Sequence, residues 1–361
     1  MVSFRYIAMQ ILKKFAVVLV ILIITYIIAY PLYKQLLIAQ AWHMAALRAQ
    51  AIAQIRSLTA AQMNKLVLNY FCLIMKVYHY CTPRCGCYEP PWVNYITLLG
   101  YYLYSFLTFH FPPCSADYSS LGFVGTNTAS IIAQAIPRTV LLIVSATIVA
   151  LILSLIVGPY IANKRGSLSD NAITIFGIAT YSFPTFYIGM IMIYIFAITL
   201  KIFPPGGMMS TPPPPTLWGK IVDVLYHLAL PMITLAFLHF GGLALVIRAL
   251  MLNVLREDYI LMARAKGVPE RLVVYKHALR AATPSIVVLA AINIAEAFGG
   301  AIITEIVFNW PGMGLLYWQA IQALDISMIL ALTYVTILIY AVALLIADIL
   351  SIVLDPRQRR G

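Results

Sequence analysis

Charge is what this sequence has least of. Asp, Glu, Lys and Arg make up 10% of its 361 residues, against about 25% in a soluble domain. That shortage excludes a soluble enzyme and a disordered chain. Acidic residues are the scarcer half, 12 against 24 basic, for a formal net charge of +12. No basic run is interleaved with aromatics in a polar context, so nucleic acid is excluded as a partner. No Gly-x-x-x-x-Gly-Lys-Ser/Thr phosphate loop is present, so any nucleotide must be held by another chain. No His-Glu-x-x-His or paired-Asp arrangement lies within an apolar segment, which argues against an intramembrane hydrolase. No internal repeat is visible, which argues against the inverted-repeat plan of many secondary transporters.

Hydrophobic residues are abundant, at 62%, with a mean hydropathy of +0.91. That is too much for one core or a peripheral protein; lipid must be the main solvent. A spanning helix needs about 20 apolar residues. Six segments qualify: 15–33, 139–163, 171–200 (with Pro184), 224–247 (with Pro231 and Gly241-Gly242), 281–307 (with Glu296 and Glu305) and 326–347. The interior Pro and Gly residues are tolerable because neighbouring helices satisfy freed backbone groups. Segment 15–33 is longer than a signal-peptide core, and Ala39-Gln40-Ala41 lies well beyond its end, so it reads as a retained anchor. Segments 66–80 and 92–111 compete for span status; the first holds Lys76 and the second is rich in Tyr and Phe, which favours the interface.

The basic excess follows the positive-inside rule. With the N-terminus inside, the short inner loops carry Lys164 and Arg165, the cluster from Arg248 to Arg280, and Arg357, Arg359 and Arg360. Both termini are then cytoplasmic. The expected plan is an all-α polytopic membrane protein of six transmembrane helices. Residues 1–33 form the tail and anchor, 34–128 an extracytoplasmic insert, and 129–361 a five-helix core. The five cysteines (Cys72, Cys81, Cys85, Cys87 and Cys114) all fall in the insert. Such clustering points to an oxidising compartment and a disulfide-pinned segment. A metal site at Cys81, Cys85 and Cys87 lacks paired spacing. The loop bearing Pro204, Pro205 and Pro212 through Pro215 favours a polyproline II spacer.

The longest inner loop, 251–283, is the most informative stretch. Residues 249–266 read as one helix, Gly267 stops it, and Val268-Pro269-Glu270 starts another, with Pro269 in the first turn. Arg264, Lys266, Arg271, Lys276 and Arg280 sit among Ala263, Val268, Val273 and Leu279. A short helix–Gly–helix elbow, basic and partly apolar, suits a groove of another protein. The plainer alternative is a basic loop that only fixes topology.

Asp258-Tyr259, Ala263-Arg264-Ala265-Lys266-Gly267 and His277-Ala278-Leu279-Arg280 resemble the EAA loop of ABC importer permeases, in the form used by the dipeptide/oligopeptide/nickel branch. Ile136-Pro137-Arg138-Thr139, Ser182-Phe183-Pro184-Thr185-Phe186, Leu230-Pro231, the stretch from Glu305 through Trp310-Pro311-Gly312 to Gly314, and Leu354-Asp355-Pro356-Arg357 also match, in family order. Each is weak alone; the set and its spacing are specific. There are departures. Leu261-Met262-Ala263 stands where the generic motif has Glu-Ala-Ala, Glu296 falls where a small residue is usual, and the insert is only faintly similar.

The resemblance implies a type I ABC importer permease fold in the cell membrane. It implies pairing with a second homologous permease, two ABC ATPase subunits and an extracytoplasmic solute-binding protein. The chain itself would bind no cofactor; ATP and Mg would sit on partner subunits. The coupling residues would be Asp258, Ala263, Arg264, Ala265, Lys266, Gly267, Val268, Pro269 and Glu270. Peptides are the expected substrate, with oligosaccharides or nickel as alternatives. Glu296 is a pathway or buried-pair residue by its intramembrane position, and Glu305, Trp310 and Pro311 are gate or turn residues. A membrane-anchor subunit of a respiratory complex would need facing haem ligands; His227 and His239 read better as hydrogen-bonded helix histidines.

Overall fold

A computed structural model of the chain describes residues 4–53, 59–77, 116–125 and 127–354, with single positions between 85 and 114, and gives residues 295–301 as backbone only. Among the described residues, all regular structure is helical.

Helix α1 (Phe4–Ala53) has 50 residues, about 75 Å at 1.5 Å per residue. It does not stop where its apolar run ends but continues past Lys34. Helix α2 (Ala60–Val77) folds back on it. Thr59 precedes α2, its N–H and hydroxyl both donating to Gln62 Oε1 at 3.0 Å, the side-chain-to-N-cap half of a capping box. The hairpin closes on the Ala41–Ala45–Ala49 stripe, whose small side chains are fully buried. Trp42 stacks on Phe71 at 4.4 Å. A Cys72–Cys85 disulfide ties α2 to the following segment; that pairing takes Cys85 out of a thiolate metal site. Cys81, Cys87, segment 78–80 and nearly all of 92–111 lie outside the described residues.

Four described helices are long and apolar enough to cross a membrane. They are α3 (Thr128–Asn163), α6 (Leu217–Val254), the N-terminal part of α8, and α10 (Ile326–Leu354). Helix α8 is continuous through Glu270–Leu272, a π-helical stretch Val273–Ala278, and Leu279–Val307. The short α9 (Met313–Gln322) links α8 to α10. Helices α3 and α6 form the central pair, meeting where Gly158 lies against Ile247 and Ser154 Oγ donates to the Phe240 carbonyl at 3.1 Å.

The expected span 171–200, with Pro184 inside it, is two helices, α4 (Leu168–Ser182) and α5 (Thr185–Met192, continued by the π-helical Ile193–Thr199), bent by 100° at the break. The cause is local. Pro184 has no N–H for the helix ladder, and it pushes Phe183 into extended backbone (φ −76°, ψ 137°). Counting the bent pair as one gives five candidate spans.

The proline-rich loop is tied down at several points. Gly207 N–H donates to the Phe308 carbonyl at 2.9 Å, Ser210 donates twice to the Asp223 carboxylate at 2.7 Å, and Tyr226 Oη donates to the Ile202 carbonyl at 2.7 Å. The chain between hairpin and core is held by Asp325, which accepts from the Ala116 N–H at 3.1 Å and Tyr118 Oη at 3.0 Å. Burial and the nearby Asp325 carboxylate push the Tyr118 phenol above its ordinary range. Apolar side chains of the hairpin, α3, α9 and α10 pack with Tyr118 and Phe123 into one cluster.

Candidate functional site

Helix α6 ends at Val254, one turn past Leu250, and residues 255–257 form a turn rather than continuing the helix to Lys266 as the sequence pattern leads one to expect. A separate helix, α7 (Asp258–Ala265), follows, with Asp258 in its first turn and Arg264 in its last, both favourable to the helix dipole. Gly267 then adopts φ +74°. Its N–H donates to the Arg264 carbonyl at 2.9 Å and the Val268 N–H to the Ala263 carbonyl at 3.3 Å. Both bonds of a Schellman stop are present. Pro269 is the N-cap of α8, one position before its first turn, and its carbonyl accepts from the N–H groups of Leu272 and Val273. Arg264 closes the turn with two bonds to Glu270, Nη2 to Oε1 at 2.8 Å and Nε to Oε2 at 3.2 Å.

The elbow therefore has two faces. Ile260, Val273, Val274 and Ala278 are buried with Ala162, Ile247, Met251 and Leu255, and Ala263 and Val268 pack at the edge of the same cluster. On the other face Tyr259, Leu261 and Met262 are 49%, 50% and 60% exposed. Ala265, Lys266, Gly267, Arg256, Arg271, Lys276 and Arg280 are exposed around them. An exposed apolar patch with a cationic rim is the composition of a docking surface. A half-open groove of about 750 Å³ runs beside it between Tyr160, Lys164, Arg271 and Tyr275. Two polar contacts tie this end to the helices: Tyr275 Oη donates to the Ile156 carbonyl at 2.9 Å, and Arg248 forks onto Asp170 at 2.6 and 2.7 Å. Sequence reasoning missed the Asp170–Arg248 pair; the available signal was that each is a solitary charge closing an apolar run.

The opposite end of the bundle collects the other candidates. Glu305 is fully buried. Its Oε1 accepts from the Thr139 hydroxyl at 2.6 Å, and its Oε2 accepts from the N–H groups of Gly314 at 2.6 Å and Leu315 at 3.1 Å. Thr139 Oγ1 in turn accepts from the Met313 N–H at 2.7 Å. The carboxylate thus caps the start of α9. Gly312 and Gly314 are glycine for steric reasons, since a Cβ at Gly312 would meet the Glu305 and Thr139 side chains and one at Gly314 the Ile302 backbone. Trp310 is fully buried and donates its ring N–H to the Arg138 carbonyl at 3.0 Å. The Arg138 guanidinium bonds the carbonyls of Leu121, Gly122 and Pro311 and lies over the Phe123 ring at 4.5 Å. Two stretches quoted separately from the sequence, 136–139 and 305–314, are thus one structure. The Glu296 side chain lies outside the described residues. His227 Nδ1 lies 2.8 Å from the Asp223 carbonyl, a local helix bond. Among the described residues no group of three or more His, Cys, Asp or Glu side chains is placed to hold a metal ion.

The family model described as "Binding-protein-dependent transport system inner membrane component" matches residues 150–360. The chain is 33% identical over 273 residues to the oligopeptide transport system permease protein AppB of Bacillus subtilis, covering 75% of this chain and 82% of that protein. It is 36% identical over 241 residues to the probable D,D-dipeptide transport system permease protein DdpB of Escherichia coli (62% and 71% covered). To the di/tripeptide transport system permease protein DppB of Pseudomonas aeruginosa it is 32% identical over 237 residues (62% and 70%).

Proposed function

The chain belongs to the binding-protein-dependent transport system inner membrane components, and from that premise we propose that it is the permease subunit of an ATP-driven importer of peptides. The relatives' names supply the substrate class. In this reading the chain has six spans, α1 supplying the first. Both termini are cytoplasmic, and residues 34–128 form an extracytoplasmic insert carried on the distal half of α1. The chain pairs with a second homologous permease, receives solute from an extracytoplasmic binding protein, and hydrolyses nothing itself. ATP and Mg belong to two ATPase subunits.

The observation that carries the reading is the elbow's split character: a stapled, rigid turn buried on one face and apolar on the other. Asp258 through Glu270 form the element an ATPase grips. Tyr259, Leu261 and Met262 fill its cleft, and the Schellman stop at Gly267 keeps α7 and α8 moving as one piece. ATP-driven closure need favour one state by only a few kcal/mol to switch the spans. Glu305, Trp310 and Pro311 act as turn stabilisers at the outer end, and Glu296 remains a pathway candidate by position. In a reconstituted complex, replacing Leu261 and Met262 with Ser is expected to leave the permease folded but to abolish ATPase co-purification and ATP-dependent uptake of a tripeptide. Normal assembly and uptake in that variant would remove the elbow from the coupling role.

A further inference from the structure

The half-open groove beside the elbow lies between the C-terminal end of α3 and the start of α8. Its lining is graded in chemistry. Ile156 and Val274 are apolar, Tyr160 and Tyr275 each carry a ring and a hydroxyl, and Lys164 and Arg271 are cationic. The carboxylate in the lining, Glu270, is already engaged by the two bonds from Arg264. The Tyr275 hydroxyl donates to the Ile156 carbonyl at 2.9 Å, so the two walls are joined before any ligand arrives.

The cationic end has unused capacity. Lys164 Nζ donates to the Tyr160 hydroxyl at 3.1 Å and lies over that ring at 4.8 Å. An ammonium has three donors, so two remain. Among the described residues no ion pair includes Lys164 or Arg271. The apolar end continues out of the groove. Ile148, Ile152, Ile156 and Tyr160 follow one another at intervals of four on α3, and all are exposed. Residues four apart form one ridge of a helix surface, and this ridge leads to Lys164. From Ile148 to Tyr160 it runs about 18 Å, close to the roughly 15 Å of one leaflet of a hydrocarbon core about 30 Å thick.

We propose that this groove is a binding site for an anionic phospholipid, with the headgroup phosphate taken by Lys164 and Arg271 and an acyl chain laid along Ile156, Ile152 and Ile148. The order along α3 of ammonium, tyrosine ring and isoleucine track matches the order of headgroup, interface and hydrocarbon in a leaflet. Lysine and arginine bind phosphate through charge-assisted hydrogen bonds. A zwitterionic lipid brings its own cation, which two cationic side chains disfavour, so the recognised headgroup is anionic. A water-soluble protein could cover Lys164 and Arg271 but not a ridge that descends to hydrocarbon depth. The leaflet rests on the permease reading, which puts the elbow on the cytoplasmic side. The lipid there braces α3 against the first turns of α8, next to the segment an ATPase grips.

Native mass spectrometry of the full complex, titrated with phosphatidylglycerol and phosphatidylcholine, tests the site. The parent is expected to retain phosphatidylglycerol preferentially. Lys164→Gln and Arg271→Gln should each lower that retention about fivefold without changing phosphatidylcholine, and Lys164→Arg should restore it. No preference in the parent, or a preference unchanged in both Gln variants, overturns the site. Displacement of the lipid by an equal concentration of glycerol 3-phosphate would make it a site for free phosphate and overturn the lipid assignment. A second measurement does not depend on the charge variants folding. Asn163, which also lines the groove, is changed to Cys, labelled with a benzophenone maleimide and photolysed in phosphatidylglycerol proteoliposomes, with the parent's own cysteines as background. A lipid adduct is expected; cross-linking only to an ATPase or to the partner permease would overturn the proposal. Recovery of the ATPases with the parent chain is read in the same spectra. Their absence overturns the importer reading, whereas a complete complex without a phosphatidylglycerol preference overturns only the lipid site.

Discussion

The two ends of the helix bundle are built on opposite principles. At one end Glu305, Thr139, Trp310 and the start of α9 form a polar network with no exposure, every named group paired. At the other, the elbow's ion pair of Arg264 and Glu270 is on the surface, with side chains 35% and 46% exposed, and Tyr259, Leu261 and Met262 on its outer face are exposed. A buried, fully satisfied network fixes one geometry, because leaving any member unpaired is costly. An exposed apolar face with weak surface ion pairs contributes little to the fold and is free to serve a partner. The contrast separates the end that anchors from the end that is moved.

That contrast yields graded expectations. Trp310→Ala opens a cavity in the anchoring end and removes a ring hydrogen bond; a loss of about 4 kcal/mol is expected, read as a lowered denaturation midpoint of the purified permease. Glu305→Ala strands the Thr139 hydroxyl and the Gly314 and Leu315 N–H groups and is expected to cost about 3 kcal/mol. Glu305→Gln keeps an acceptor oxygen and falls between that variant and the parent in the same assay. At the elbow Gly267→Val forces a β-branched residue to φ +74°, at about 1–2 kcal/mol. Its clearer signature is uncoupling, with ATP hydrolysis persisting while uptake falls. The smallest effect belongs to the Arg264–Glu270 pair. A double-mutant cycle to Ala should return under about 1 kcal/mol of coupling energy, shrinking further in high salt. A larger loss at the elbow pair than at Glu305 would reverse the contrast.

Much of this was legible in the chain itself. Gly267 was readable as a helix stop because glycine alone adopts a positive φ without steric cost there, and Pro269 as a restart because its missing N–H does no harm at a helix beginning. The turn at 255–257 was not legible. Leu255 continues the apolar periodicity of α6, and burial against Ile260 and Val273 ends the helix instead of any local breaker. Pro184 was visible as an interruption, but periodicity does not give the direction or size of a bend; the 100° angle is set by what α5 packs against, notably Gly189 on Phe308. The continuation of α1 beyond Lys34 was hidden because a polar residue ends a membrane run without ending a helix.

By itself, the sequence determined the solvent, the apolar spans and the elbow with its glycine stop, because these follow from local composition and backbone preference over a few residues. The tertiary structure decided which distant polar groups meet. Thr139 finds Glu305 across 166 residues, and Arg248 finds Asp170 across 78. Nothing local marks such partners, since a buried carboxylate accepts whichever donor the packing of whole helices brings within bonding distance.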